Sequence, residues 1–403
     1  MTEHLDSPAT PSAESTEPIV PAMSRRRLLL TSGATGIAGA AIGAAAGVLS
    51  ARAAAEPKTT PEVVSFTGTH QAGVASPVTP QEHVLVLVAD VDVASAKDSL
   101  AALGARILRL TTPFEQADGE TKGVLPDGPG NLTVFVGVGS RVLAAAQPDL
   151  AAVVEMPLYI GDDELTPDAL GGDLLISIQA DNAAALESVA EALAAEVEGF
   201  RLRWRQLGYS GPNDQGITRN PFGYHDGIIV ARTPEEQNDD VWIADGPLAG
   251  GTICVIRRFA LDVTRFRAEP QARQDAIIGR ERATGVPLSG GAMRDDADIT
   301  LRTPDGAFVI GSDSHIRAAH PSFTGSGLML RRSYAYSQTG LGVAPERGLL
   351  FTCFQNEVRT FVRTQQRMDD IDALMGFSTP TATCAFAILP GFDADHPLGS
   401  TLV

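Results

Sequence analysis

The sequence predicts an α+β fold made by duplication, with helices packed on antiparallel sheets. Short apolar runs of strand length alternate with periodic helical stretches. The order of these elements in the first half recurs in the second. Segments rich in Gly, Pro and Asp interrupt the pattern, chiefly between the two halves.

In chain order, HVLVLVADVD from His83 is an apolar run too short for a helix and rich in β-branched residues, hence a strand. VASAKDSLAALGARI follows with helical periodicity. NLTVFVGVGS and DLLISIQAD read as two more strands. The last leads into NAAALESVAEALAAEVEGF, an Ala/Leu/Glu helix with Asn182 or Asp181 placed to cap it. The second half repeats the theme with the strands GTICVIRRFALDV, GLLFTCFQN and ATCAFAILPG, and the helical EVRTFVRTQQRMDDIDALMG before the last. From about Arg203 to Arg331 the chain reads as long irregular segments, and long loops in a compact fold usually carry function.

The 403 residues are 44% hydrophobic and 20% charged, a globular composition long enough for two or three domain-sized units or one large one. A net charge of −18 argues against nucleic acid and anionic membranes as partners, because both need a basic footprint. Cys254, Cys353 and Cys384 lie far apart without CxxC spacing, so buried free thiols are expected.

Arg25, Arg26 and Arg27 precede a Gly/Ala-rich stretch without acidic residues, which ends in the small residues Ala53 to Ala55. That layout is a secretory signal, and the consecutive arginines before leucines resemble the twin-arginine type. Residues 1–55 are therefore expected to be an export signal read by the twin-arginine machinery, leading to the periplasm, cell surface or exterior. Such signals carry folded proteins, often with a cofactor already inserted. Residues 56–80, rich in Pro, Thr, Ser and Gly, read as a flexible leader.

Two stretches hold most of the chemical potential. In NPFGYHDGIIV, from Asn220 to Val230, Asp226 sits in a Gly-rich turn opening into an apolar run. It is either part of a surface turn or a carboxylate at the edge of a buried cavity. DSHIRAAHPSFTGSGLMLRRSYAYS, from Asp313 to Ser337, holds His315 and His320, two of the seven histidines. Their spacing is a weak zinc signal. A lone imidazole suits haem iron better, since a porphyrin supplies the other four nitrogens. The paired arginines after LML place at least one guanidinium near a buried face, where it needs an anion or carboxylate partner.

Taken together, these stretches resemble the dye-decolorising peroxidases. FGYHDGI is similar to that family's GFxDG-type motif, and SHIRAAHP followed by LMLRRSYAYS to its proximal-histidine and distal-arginine segments. The later GLLFTCFQNEVRTFVRTQQRMDD and ILPG are similar to its C-terminal sheet. The resemblance runs from about His83 onward, and the signal fits the exported branch, which includes deferrochelatase/peroxidases. It implies two ferredoxin-like domains, here 81–215 and 216–403, with haem b in the second. It also implies Asp226 and Arg331 as catalytic residues and His315 as the iron ligand. Gly227, Ile228, Ile229, His320, Pro321, Ser322 and Arg331 fall where the family's chain meets the porphyrin. Arg332 is set aside, and His225 is expected to face away from the iron.

The implied chemistry is reduction of hydrogen peroxide with oxidation of bulky one-electron donors such as dyes or phenols. Asp226 would take a proton from one peroxide oxygen and return it to the other. Arg331 would stabilise the charge that develops as the O–O bond breaks. A carboxylate accepting the imidazole Nδ1 proton would strengthen the ligand, and Asp313, Asp370 and Asp372 are candidates. A carboxylate base predicts an acidic optimum, between roughly pH 3 and 5. Trp204, Trp242, Tyr334 and Tyr336 are candidate surface relays for electrons, with core packing as the alternative; Leu328 and Phe351 are candidate apolar cover. The other function implied is release of iron from haem, and the expected partners extend to a homo-oligomer and iron-uptake proteins.

Overall fold

The computed structural model describes residues 63–212, 216–338 and 346–402. The expected export signal, residues 1–55, lies outside the described residues. In the N-terminal half, β1 (His83–Asp90), β2 (Thr133–Val138), β3 (Leu174–Ala180) and β4 (Arg201–Tyr209) form antiparallel neighbours in the order β2-β3-β1-β4. Helices Ala96–Leu110 and Ala183–Ala194 fill the connections from β1 to β2 and from β3 to β4. The run LVLVA in β1 is buried on both faces, which explains why it is apolar throughout rather than alternating. Asn182 caps the second helix by accepting the Ala184 N–H at 3.1 Å, while Asp181 instead accepts the Glu82 N–H.

The C-terminal half opens with a two-residue ladder between β5 (Thr218–Arg219) and β6 (His225–Asp226). Its main strands are β7 (Thr252–Leu261), β9 (Tyr334–Gln338), β10 (Glu346–Gln355) and β11 (Ser378–Ile388), ordered β11-β7-β10-β9, with the short β8 (Leu330–Arg331) also on β10. Counted from its own first strand, each half runs 4-1-3-2. The duplication seen as a recurrence in sequence is thus a repeated ferredoxin-like topology.

The two sheets join edge to edge. Tyr209 on β4 pairs with Ala335 on β9, and Val138 and Gly137 on β2 pair with Ala387 and Ile388 on β11. Because β7 also pairs with β10, the strands close into a ring with one continuous core. Each seam contains a glycine whose missing side chain permits the approach. A Cβ at Gly137 would lie 2.6 Å from Ile388 Cδ1, and one at Gly208 would lie 2.8 Å from Tyr334 Cβ.

Two expectations need correction. Residues 63–80 do not form a flexible leader: Phe66 and Val74 are buried, and buried Gln71 donates to the carbonyls of Val136 and Leu389 while accepting the Val136 N–H. Their apolar and amide side chains cover the β2–β11 seam, which composition alone conceals. β4 lies at the start of a region expected to be irregular. Its outward Arg201, Arg203 and Arg205, paired with Asp90 and Glu187, mask the strand signal of the inward Trp204, Gln206 and Gly208. The three cysteines are buried free thiols, and burial pushes the Cys384 thiol up to about 12.

Candidate active site

A large cavity opens in the C-terminal half, and every residue lining it falls between Asn220 and Ser378. It holds about 1600 Å³ of empty space, its mouth included. Its walls are mainly apolar, with Phe259, Ile278, Leu349, Phe361 and Met368 among them.

Asp226 reaches the cavity at the end of β6. The next residue, Gly227, has φ +76°, and a Cβ there would meet the Gly216 carbonyl oxygen at 2.7 Å, so the turn requires glycine. Arg232 holds the same turn by donating to the Gly227 and Ile228 carbonyls. Asp226 Oδ1 accepts the Gly227 N–H at 2.6 Å and lies 3.6 Å from Arg331 Nη2. Arg331 comes from β8, where it pairs with Cys353 on β10, and its Nη1 donates to the Ile229 carbonyl at 3.0 Å. Both side chains are about one quarter exposed, so the pair is held by protein but open to the cavity.

His315 begins a short helix, His315–Ala318, and also lines the cavity. Its Nδ1 hydrogen-bonds Asp372 Oδ2 at 2.7 Å, and the buried Asp372 uses Oδ1 to accept the Leu374 N–H. The two segments are tied by the Ala373 N–H donating to the Asp313 carbonyl. Burial alone would lower the imidazole pKa. The Asp372 charge and hydrogen bond, with a contribution from Asp226, raise it overall. Nε2 is left as the ring nitrogen able to bind a metal. Of the three candidate carboxylates, Asp372 alone makes this bond; Asp313 instead pairs with Arg273, and Asp370 is exposed.

Of the residues expected around the porphyrin, Gly227, Ile228, Ile229, His320 and Pro321 line the cavity. His320 differs from His315 in having both ring nitrogens engaged, Nδ1 accepting the Ser322 N–H and Nε2 lying 3.1 Å from Asp296 Oδ2. Ser322 is a correction: in the first turn of helix Pro321–Thr324 it is exposed and does not line the cavity. His225 also lines the cavity; among the described residues its Nδ1 is buried without a partner, and burial with the nearby Arg219 charge lowers its pKa. The candidate electron relays follow the core-packing alternative. Trp204, Trp242, Tyr334 and Tyr336 are all buried, Trp204 under the Arg258 guanidinium and Trp242 stacked on His70 at 3.7 Å. Leu328 and Phe351 do line the cavity.

Arg280 escaped the sequence reading. It is buried at the cavity wall, where its guanidinium donates to the carbonyls of Gly285, Met293 and Asp295. The only trace in the sequence is an arginine after an apolar helix end, IIGRERATG, which is too common to single out.

A wide apolar cavity with one carboxylate-oriented imidazole and a separate Asp–Arg pair fits a haem. Among the described residues no three His, Cys, Asp or Glu side chains gather to hold an ion, so a macrocycle would have to supply the remaining ligands. The class defined by fold and cavity is a haem enzyme.

Comparison with known proteins agrees. The family model described as "Dyp-type peroxidase, N-terminal" matches residues 71–210, and "Dyp-type peroxidase, C-terminal" matches residues 217–393. A deferrochelatase of Shigella sonnei is 31% identical, with 94% of this chain and 97% of the relative covered. The crystal structure of a DyP-type peroxidase from Cellulomonas bogoriensis superposes with a TM-score of 0.75 at 31% identity, covering 85% of this chain and 98% of the other. The oxyferrous complex of DtpA from Streptomyces lividans gives 0.76 at 26% identity, with 85% and 98% covered. The chain belongs to the Dyp-type peroxidases: it is a haem peroxidase, of a family whose cofactor is haem b.

Proposed function

We propose that this enzyme reduces hydrogen peroxide at the cavity with Asp226 as proton carrier, Arg331 as fixed cation and His315 as iron ligand, oxidising bulky one-electron donors. The observation that carries this is the 3.6 Å Asp226–Arg331 contact facing the cavity that His315 also faces. When bound, haem supplies the redox centre that accepts and returns electrons.

Asp226 Oδ1 is taken up by the Gly227 N–H and Arg331, so Oδ2 is the oxygen that receives a proton from peroxide and returns it to the departing oxygen. Arg331 keeps its charge throughout. Anchored on the Ile229 carbonyl, it needs no reorientation as negative charge develops. His315 donates Nδ1–H to Asp372, which fixes the tautomer and leaves Nε2 as the nitrogen that would hold the haem iron. Apolar Leu328 and Phe351 limit water around the reacting oxygens. Gly227, Ile228, Ile229, His320 and Pro321, which line the cavity with Arg280, would touch the macrocycle.

The assignment is tested by absorption spectra of haem-loaded wild type and His315→Ala, followed by stopped-flow peroxide mixing. Loss of the five-coordinate histidine spectrum in the variant is expected. Its retention would transfer the ligand role elsewhere, to His320 first. A second function is favoured by the deferrochelatases among the relatives at 30–31% identity: release of iron from haem with the porphyrin intact. Recovery of metal-free protoporphyrin after incubation with haem would establish it. Residues 1–55 would direct twin-arginine export, and the domains would divide at 81–215 and 216–403.

A further inference from the structure

Behind the Asp226–Arg331 pair lies a second, much smaller chamber. Asp226, Gly227 and Arg331 line it as well as the main cavity, and its other walls include Arg332, Ser333, Tyr334 and Thr218. It offers about 20 Å³ to a water-sized sphere, against the ~10–15 Å³ that one water requires. A single small species fits.

The charges around it do not balance. Arg332 is 5% exposed, and among the described residues the one hydrogen bond of its guanidinium runs from Nη2 to the Pro77 carbonyl. Among the described residues its Nε and Nη1 are buried with no partner, and so is the Tyr334 hydroxyl on the same chamber. Among the described residues no carboxylate pairs with Arg332, and burial pushes its pKa down to about 10. Asp226 already faces Arg331. Three formal charges therefore meet here, two positive and one negative, and three buried donors lack acceptors. A neutral water would satisfy some of the donors but leave the surplus charge. A small anion satisfies both.

We propose that this chamber is a binding site for one monovalent anion of chloride size, held by Arg332 Nε and Nη1 and the Tyr334 hydroxyl. The site is separate from the haem cavity and does not depend on the roles proposed for Asp226 and Arg331. Its occupant neutralises the buried guanidinium and so couples the stability of the β8–β9 segment to halide concentration.

Haem-loaded crystals soaked in sodium bromide provide the direct test. An anomalous peak is expected in the chamber, within hydrogen-bond reach of Arg332 and Tyr334. In solution, haem-loaded protein should melt at higher temperature in sodium chloride than in sodium gluconate of equal ionic strength. Chloride affinity should fall about tenfold or more in Arg332→Met, which removes charged donors, and about three- to tenfold in Tyr334→Phe, which removes one neutral donor. If Arg332→Met does not fold, Tyr334→Phe still decides. A chamber without an anomalous peak, bromide found only in the haem cavity, or a chloride response unchanged in Tyr334→Phe would each overturn the proposal.

Discussion

The two halves of the molecule share a strand order but treat the same connection in opposite ways. In the N-terminal half, residues 91–132 link the first two strands and carry the 15-residue helix Ala96–Leu110. Its Leu100, Leu103, Ile107 and Leu110 are buried in one apolar cluster with β1 and β2. In the C-terminal half the matching residues 262–333 hold helices of only six, eight, four and four residues. The helix between β10 and β11, Val358–Ile371, has Thr364, Gln365 and Met368 on the wall of the open cavity. A repeated sheet thus yields either a filled core or a cofactor cavity, depending on whether its connections bring a continuous apolar stripe.

The sharpest contrast should be functional. Asp226→Asn and Arg331→Leu should each slow the stopped-flow peroxide reaction of haem-loaded protein by about 10²–10⁴-fold. Substitutions on the N-terminal sheet should leave that rate unchanged. Loss of haem from the variants, instead of a slowed reaction, would contradict the roles given to the pair. Asp372→Asn should have a smaller effect, lowering haem affinity or activity by about 10–100-fold, read by haem transfer to an apo-globin acceptor.

Stability sharpens the same comparison. Leu103→Ala, in the filled half, should cost about 2–5 kcal/mol in urea unfolding, because it leaves a cavity in a packed core. In haem-free protein Leu328→Ala, on a wall that already borders open space, should cost only about 1 kcal/mol or less. Equal losses would mean that the cavity is not preformed. At the seams, Gly137→Val and Gly208→Val should each cost about 1–3 kcal/mol by overpacking. They should do so within one unfolding transition, since the halves share a closed ring.

The smallest effect concerns pH. In haem-free protein the folded state holds the His315 proton more tightly than the unfolded chain. The stabilisation is therefore complete below the ordinary histidine pKa near ~6.5 and is lost as pH rises through the higher folded value. Melting temperature should fall over that window in wild type, and this slope should be absent in His315→Gln.

Strands β1, β2, β3, β7, β10 and β11 and the helices Ala96–Leu110, Ala183–Ala194 and Val358–Ile371 were legible because their patterning is local: apolar runs of strand length, and a helix with Asn182 at its start. Asp226, His315 and Arg331 were legible as a set through resemblance, since a family motif preserves order along the chain. Other features were not. Ser322 and His225 each sit next to a cavity residue in sequence, yet Ser322 is exposed in the first turn of a short helix while His225 lines the cavity beside Asp226. Asp372 could not be told from Asp313 or Asp370, because the choice depends on where the Ala373–Phe377 turn packs against the His315 helix.

By itself the sequence determined the α+β class, the duplication and the chemical types available to the site, because these follow from periodicity and side-chain identity along a short stretch of chain. Tertiary structure alone decided that the two sheets close into one ring, that residues 63–80 cover a seam, and that Arg331 faces Asp226 while Arg332 is buried without a counter-charge among the described residues. The reason is that burial and pairing are properties of distant segments meeting. Adjacent residues with the same side chain can be sent to different environments by a single step along a strand.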